Sequence, residues 1–138
     1  MSTASIRIRS VQQVPGEEEQ ELLLETQGQL LKKNNTRYFM YEEVAEDGGK
    51  IQNRLVIRDG QVQLRKTGQV GWEMCFEERV KNSGQYRTPY GVLPVTVDTT
   101  GLEFKELPGQ LRIRISYQLE IQEQYRTDCR MEILLKEA

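Results

Sequence analysis

The sequence contains no histidine, which removes the commonest catalytic base and the commonest metal ligand. Nucleophilic catalysis of the Ser-His-Asp or Cys-His kind needs such a base, and no pattern of Lys, Asp or Glu nominates a replacement. A zinc site needs closely spaced Cys or His, whereas the only cysteines are Cys75 and Cys129. We therefore expect no catalytic residue, no metal and no cofactor, and a protein that is not an enzyme.

Other absences limit the partners and the compartment. No apolar run approaches the ~18 residues of a membrane-spanning helix, and the first residues lack the pattern of a signal peptide. Lys and Arg number 19 against 21 for Asp and Glu, so the net charge of -2 provides no field that attracts nucleic acid or an anionic membrane. We expect a cytoplasmic protein with neither partner. In that compartment Cys75 and Cys129 are expected to be free thiols that pack as small hydrophobes, rather than a disulfide or reactive thiols.

Two further kinds of chemical motif are missing. The glycines at 48 and 49, 68 and 71, 91 and 101 fall at predicted strand ends and not in the GxGxxG or GxxxxGK[ST] order of phosphate-binding loops. Carboxylates occur in pairs at Glu42-Glu43 and Glu77-Glu78, but adjacent residues of a strand point to opposite faces. Neither pair can converge on one substrate atom, so the sequence favours neither a nucleotide site nor a glycosidase.

The sequence does contain a clear two-residue periodicity. From Gln110 to Ile121 polar and apolar residues alternate without exception, which predicts a strand with one buried face. At ~3.3 Å per residue such a strand would run ~40 Å, about twice the usual length. A strand this long suits a barrel, around which it can coil, better than a small flat sheet.

Turn residues divide the rest of the chain into short strands. Hairpin turns are predicted at Pro15-Gly16, Asn34-Asn35, Gly48-Gly49, Asp59-Gly60 and Pro108-Gly109. The alternation predicts further strands over Ser5–Val11, Leu22–Leu30, Arg37–Val44, Ile51–Arg58, Val62–Thr67, Trp72–Glu77, Leu93–Val97 and Met131–Lys136. Between them we expect loops at Lys81–Gly84 and Glu123–Thr127, an edge, bulge or break at Pro89, and a bend at Thr99–Gly101.

About nine strands joined by hairpins, with no helix of ten or more residues, predict an all-β meander. A sandwich and a closed barrel could both accommodate it. The long strands and the nearest-neighbour connections favour an antiparallel up-and-down β-barrel, because closure removes exposed strand edges. We expect one domain over residues 1–138.

The barrel lumen is the candidate site, because a small barrel is just wide enough for side chains or for one small ligand. Five aromatic side chains could provide apolar walls with polar tips, ordinary core packing being the alternative for each: Tyr41, Trp72, Tyr86, Tyr90 and Tyr117. Arg65 could anchor an anionic group. Alternatively it is a solvated strand arginine, with Leu64 and Lys66 on the opposite face.

Several segments together resemble a known family. They are Tyr41-Glu42-Glu43, Arg65 with Gly68 after the Asp59-Gly60 hairpin, Met74 and Phe76 before Glu77, the run YRTPYG from Tyr86 to Gly91, and the closing strand from Gly109 to Ile121. From about Ile6 to Glu137 the chain resembles DUF1934, the YwiB-like bacterial family of unknown function. The resemblance implies a lipocalin-like, calycin-type barrel in a small cytoplasmic protein, with no activity, ligand or catalytic residue to carry over. Pro94 departs from the pattern and predicts an edge or a bulge.

Two functions from different classes remain open. The first is a non-enzymatic small-ligand-binding barrel whose pocket is built from Arg65, Tyr86 and the loop Thr88 to Gly91. The second is a protein-interaction module with a filled lumen, whose outer face or open edge near Pro89–Pro94 receives a partner strand, a homodimer being one such arrangement. A structural domain without a ligand is a further alternative. A cavity of ~300 Å³ or more with convergent polar groups would favour the ligand. A lumen closed by its own aromatic and methionine side chains would favour the partner.

Overall fold

The computed structural model describes all 138 residues and contains ten antiparallel strands and no helix. The strands are β1 (Ser2–Gln13), β2 (Gln20–Lys33), β3 (Thr36–Val44), β4 (Lys50–Arg58), β5 (Gln61–Thr67), β6 (Gly71–Glu77), β7 (Lys81–Thr88), β8 (Gly91–Leu107), β9 (Gln110–Ile121) and β10 (Tyr125–Glu137). Each strand pairs with its sequence neighbours, and β1 also pairs with β10, so the barrel is closed. The predicted antiparallel up-and-down barrel is confirmed, with one more strand than expected. No helix has the length and apolarity needed to cross a membrane.

Two predicted interruptions are parts of strands. Lys81–Gly84 is not a loop but the first half of β7, where it pairs with Val95–Asp98 of β8. The alternation is hidden there because the lumen-facing positions are Asn82 and Gly84, which are not apolar. The predicted bend at Thr99–Gly101 is a β-bulge within β8, and it lets this strand continue for 17 residues.

The two prolines of the β7–β8 hairpin differ in position. Pro89 lies in the two-residue turn between the strands. Pro94 lies inside β8, opposite Gln85 of β7 and just beyond the last residue that pairs with β9. Its carbonyl oxygen accepts a hydrogen bond from the backbone N–H of Gln122, 3.0 Å away. A proline is tolerated at this point because β9 has already ended.

The lower half of the barrel is filled. We call lower the end that carries the chain termini and the turns after β2, β4, β6 and β8. Large side chains from most strands pack there and are almost fully buried: Ile6, Leu30, Phe39, Ile57, Val62 and Ile113. Two ion pairs lie across this end, Lys32 with Glu137 and Arg37 with Glu106. The cavity beside these ion pairs is only about 60 Å³. An open, mainly polar groove of about 650 Å³ lies over the same end of the barrel, around the turns after β2 and β4.

The upper half contains a wedge between β2 and β3. Residues Gln29–Lys33 of β2 pair with Thr36–Met40 of β3, and the two strands do not pair elsewhere. Above Gln29, β2 pairs with β1 alone. Gly28 marks the point of separation, where a Cβ atom would lie 2.2 Å from the carbonyl oxygen of Met40. The wedge leaves the apolar side chains of upper β2 exposed to solvent, Leu22 to 63% and Leu23 to 54%.

Candidate functional site

The upper half of the lumen holds a mainly apolar pocket of about 280 Å³. Strands β1, β2 and β10 form one wall with Ile8, Leu24 and Met131, and β3 to β6 form the other with Tyr41, Leu55, Leu64 and Phe76. The volume lies just below the ~300–1,000 Å³ range of ligand pockets, and so just below the ~300 Å³ expected of a ligand-binding barrel. The pocket is therefore suited to a small molecule.

A row of lumen-facing side chains that carry polar groups crosses five adjacent strands. The register places Tyr41 of β3 opposite Asn53 of β4, and Asn53 opposite Lys66 of β5. Lys66 in turn lies opposite Trp72 of β6, and Trp72 lies opposite Tyr86 of β7. The row places an amide, an ammonium and aromatic rings with polar tips at one level of the barrel.

An ion pair spans this row on the lumen side. Nζ of Lys66 lies 2.7 Å from Oε1 of Glu43, and both side chains are largely buried, with 28% and 26% of their surface exposed. Glu43 belongs to β3 and Lys66 to β5, so the pair crosses the lumen face of β4. Partial burial makes this pair stronger than the exposed ion pairs of the outer surface.

Asn53 on β4 is 2% exposed, and neither its Nδ2 nor its Oδ1 atom has a hydrogen-bond partner. Buried polar side chains are nearly always paired, and leaving one unpaired costs roughly 1–3 kcal/mol of folding free energy. Asn53 is therefore a destabilising residue at the level of the row.

Tyr41 presents a neutral phenol to the pocket. Its side chain is 4% exposed and packs against Phe39 with ring centroids 5.8 Å apart. Burial raises the pKa of the Tyr41 phenol well above its usual value, and the nearby Glu43 carboxylate raises it further. The hydroxyl group consequently keeps its proton at neutral pH and is available as a hydrogen-bond donor.

Besides Tyr41, three of the predicted ligand-binding residues face the lumen. Trp72 and Tyr86 stack with ring centroids 4.1 Å apart and an interplanar angle of 10°, and both are partly buried against the core. Tyr117 is 6% exposed and meets Phe76 edge-on at 4.8 Å between centroids. The structure therefore brings Trp72 and Tyr86 together next to Lys66, and places Tyr117 within the core.

The other three predicted residues lie outside the lumen. Arg65 is on the outer face with 53% of its side chain exposed, and its Nε atom is 3.6 Å from Glu73 Oε1. Tyr90 is 99% exposed in the β7–β8 turn. Thr88 Oγ1 accepts a hydrogen bond from Tyr90 N–H and donates one to the carbonyl oxygen of Gly91, both at 3.1 Å. The expected pocket of Arg65, Tyr86 and the loop Thr88–Gly91 is thus not assembled.

The orientation of β5 explains the error at Arg65. Val62 and Leu64 face the lumen, so the two-residue period also turns Lys66 inward and Arg65 outward. The solvated strand arginine is the correct alternative, and the cation of the upper lumen is Lys66. Lys66 could have been identified as lumen-facing because it follows Val62 and Leu64 at the two-residue spacing of the apolar face. Asn53 could have been identified in the same way, because it lies between Ile51 and Leu55.

The groove in which Arg65 does lie is on the outer surface of β4 to β7. It is open, has a volume of about 500 Å³, and is lined by polar side chains that include Arg54, Gln63 and Gln85. Glu73 contacts Arg65 and also Arg87, at 3.2 Å. Arg65 and Glu73 are thus paired with each other, whereas Arg54 lies over the Tyr38 ring, 5.5 Å from its centroid. No group of three or more Cys, Asp or Glu side chains gathers in the structure to hold a metal ion.

Both cysteines are free thiols, as expected, with Cys129 buried and Cys75 partly buried. Burial raises the pKa of the Cys129 thiol to about 11. It also raises the pKa of Cys75, with a further contribution from the Glu77 carboxylate. A thiol reacts through its thiolate, so both groups are in surroundings that suppress reactivity.

Comparison with known proteins places the whole barrel in one family. The model of a family described as a domain of unknown function (DUF1934) matches residues 6–133. No curated protein matches the sequence. The crystal structure of the ywiB protein from Bacillus subtilis is similar, with a TM-score of 0.86 and 20% sequence identity over 99% of this chain and 92% of that chain. At this identity the structural likeness establishes the fold alone. Because the family match covers nearly every strand, the chain belongs to the DUF1934 family.

Proposed function

We propose that this protein is a non-enzymatic binding protein that holds a small, mainly apolar molecule in the upper half of its lumen, in the manner of lipocalin-like barrels and in the cytoplasm. The observation that carries the proposal is the contrast between the two halves. At the lower end one cavity is only about 60 Å³, and the other, of about 650 Å³, is an open groove lined mainly by polar side chains. The upper half keeps a cavity of about 280 Å³ with mainly apolar walls. A core that only needed to be stable would be filled at both ends.

The pocket volume limits the ligand to on the order of ten non-hydrogen atoms, at the ~30 Å³ that a water-sized group occupies in a liquid. Ligands of this size gain roughly 0.3–1.5 kcal/mol per atom. A middle value of this range, summed over about ten atoms, corresponds to a dissociation constant of about a micromolar. We expect an affinity of this order.

The wedge between β2 and β3 offers the ligand a side entrance. Leu22 and Leu24 line the pocket from upper β2, whose edge toward β3 is unpaired. Leu22 is also 63% exposed, so the apolar lining continues to the surface. The two strands can part further there without breaking hydrogen bonds between them.

The charges of the pocket favour binding over catalysis. Glu43 and Lys66 are the only charged residues that line it, and they are paired with each other. An acid or base held in an ion pair is neutralised by its partner rather than directed at a substrate atom. This arrangement supports our view that the protein is not an enzyme.

The test begins with native mass spectrometry of protein purified gently from its own host, compared with the mass after denaturation. We expect a reproducible excess mass in the native state. Titration with 1-octanol, which has nine non-hydrogen atoms, then probes the pocket directly. Leu24→Trp should fill the pocket and weaken octanol binding by at least about tenfold. Gln27→Trp, on the outer face of the same strand, should leave binding unchanged. Equal binding by the two variants, or no binding by the wild type, would refute the proposal.

A second candidate is an interaction module that pairs with a second copy of this chain. Near Pro89–Pro94, β7 and β8 pair with each other up to their turn, and the unpaired edge there is short: Gly91–Pro94 of β8 extend beyond the end of β9. Upper β2 provides a longer unpaired edge, beside which Leu22 and Leu23 are exposed. A β2 edge can pair with the same edge of a second copy about a two-fold axis. Light scattering that finds a dimer at micromolar concentration would favour this candidate, and a monomer at every concentration would exclude it.

A further inference from the structure

Two buried side chains have polar atoms without partners, Asn53 and Thr99. They differ in their surroundings. Thr99 lies on β8 opposite Tyr117 and has one unpaired oxygen. Asn53 has an unpaired donor and an unpaired acceptor, and both of its register partners, Tyr41 and Lys66, line the pocket. Asn53 is therefore the unsatisfied group that lies beside the pocket.

The Glu43–Lys66 ion pair lies near the level of Asn53. The pair joins β3 to β5 at 2.7 Å and so crosses the strand that carries Asn53. Neither amide atom of Asn53 hydrogen bonds to the pair. Asn53 itself does not line the pocket, whereas Tyr41, Glu43 and Lys66 do, so a ligand reaches the amide by displacing one of these side chains.

We propose that Asn53 recognises the head group of the ligand, and that the ligand is a neutral molecule with a small apolar body and a carboxamide-type edge, such as a primary amide or a lactam. This inference rests on the proposed function. The carbonyl oxygen of such an edge accepts a hydrogen bond from Asn53 Nδ2, and its N–H donates to Asn53 Oδ1. Both unpaired atoms are thereby satisfied, while Glu43 and Lys66 remain a neutral pair at the side.

The same geometry disfavours an anionic head group. A carboxylate has no donor, so it would leave Asn53 Oδ1 unpaired. It would also place a second negative charge near Glu43 where Lys66 is the only cation that lines the pocket. An alcohol satisfies one amide atom well but does not present a donor and an acceptor in the fixed geometry of an amide. The expected order of affinity is therefore amide, then alcohol, then carboxylate.

The experiment compares three probes with the same chain length, namely octanamide, 1-octanol and octanoate, by calorimetric titration at neutral pH. We expect octanamide to bind the wild type at least about tenfold more tightly than either other probe, because a buried unpaired polar group is strongly penalised. Asn53→Leu should abolish this preference, so that octanamide and octanol bind the variant within about threefold of each other. The variant should also raise the melting temperature of the free protein, because it removes an unsatisfied amide.

Thr99→Val is the matched control, since it also replaces a buried unpaired group with an apolar one of similar size. It should raise the melting temperature but keep the preference for octanamide. Equal binding of the three probes, a preference for octanoate, or an unchanged preference in Asn53→Leu would overturn the inference while leaving the binding function intact. If none of the three probes binds, both the inference and the proposed function fail.

Discussion

Three buried groups in this barrel keep their protons because the lumen excludes water. Burial raises the pKa of the Tyr117 phenol far above its ordinary value, and the neighbouring Cys129 raises it further. Tyr41 is shifted in the same direction by burial and by Glu43. Burial also raises the pKa of Cys129 to about 11, from an ordinary value of 9.0. All three groups are neutral acids that the folded state holds in their protonated form.

These shifts predict that stability declines at alkaline pH. In the unfolded chain cysteine and tyrosine lose their protons near their ordinary values of 9.0 and 10.0, whereas the folded chain retains them to higher pH. The unfolded state then binds fewer protons, so the free energy of unfolding falls as pH rises above about 9. Each fully engaged group contributes at most about 1.4 kcal/mol per pH unit. Urea denaturation between pH 7 and 11 measures the slope.

Cys129→Ala provides the control for this measurement. The variant should lose the Cys129 part of the slope between about pH 9 and 11 and keep the part from the two tyrosines. A free energy of unfolding that stays constant from pH 7 to 11 would show that the folded state does not hold these protons.

The ion pair of the upper lumen can be tested against its exposed neighbour. Lys66→Met leaves the partly buried Glu43 carboxylate without its partner, so we expect a loss of about 1 kcal/mol or more. Arg65→Met removes an exposed outer cation and should change stability by less than about 0.5 kcal/mol. Chemical denaturation at neutral pH measures both. A larger loss of stability for Arg65→Met than for Lys66→Met would mean that Arg65, and not Lys66, faces the lumen.

At the scale of the element, strands were predictable where the lumen side is apolar without a break. The bounds of β9, Gln110–Ile121, follow directly from its alternation. The first half of β7 could not be found in this way, because Asn82 and Gly84 face the lumen there. Asn82 Nδ2 instead donates to the carbonyl oxygen of Cys75, at 3.3 Å, where the ladder between β6 and β7 has ended.

The candidate site was harder to predict than the fold because it depends on the pairing of strands and not on one strand alone. Lys66 and Glu43 are 23 positions apart, and only the register of β3, β4 and β5 shows that their side chains meet. For Arg65 the local pattern did not decide whether the side chain faces the lumen or the solvent. The decision required Val62, Leu64 and Lys66 to be recognised as the lumen-facing positions of one strand.

Two glycines allow a test of the wedge. Gly28 lies where β2 leaves β3, and a Cβ atom there would be 2.2 Å from the backbone oxygen of Met40. At Gly101, in the β8 bulge, the nearest atom to such a Cβ would be Ser116 Cβ at 3.7 Å, an ordinary contact. We expect Gly28→Ala to destabilise the protein by about 1–3 kcal/mol and Gly101→Ala to change stability by less than about 0.5 kcal/mol. Thermal and urea unfolding measure both. Similar stabilities of the two variants would contradict the close approach at Gly28.

At the scale of the whole molecule, the lower and upper halves of the barrel differ in strand pairing and in the packing of the lumen. Below Gly28, β2 and β3 close the ladder, and side chains and ion pairs fill the lumen. Above it the ladder opens and the pocket begins. By contrast β9 pairs along its whole length with β10 on one side, and along nearly all of it with β8 on the other. The lower half and the β8–β10 segment thus provide a rigid frame, and upper β2 is the part that can move.

Hydrogen exchange should report this inequality directly. Exchange is slow where amides pair in a ladder that opens only on global unfolding, and fast where a local opening suffices. We expect the backbone amides of Gln110–Ile121 to exchange most slowly, and those of Gln20–Gln27 that point toward β3 to exchange orders of magnitude faster. The measurement is made at two protein concentrations. Protection of Gln20–Gln27 that appears only at the higher concentration would mean that a second copy covers this edge. Equal protection of the two strands at both concentrations would mean that the wedge is closed in solution, which would remove the side entrance on which ligand access depends.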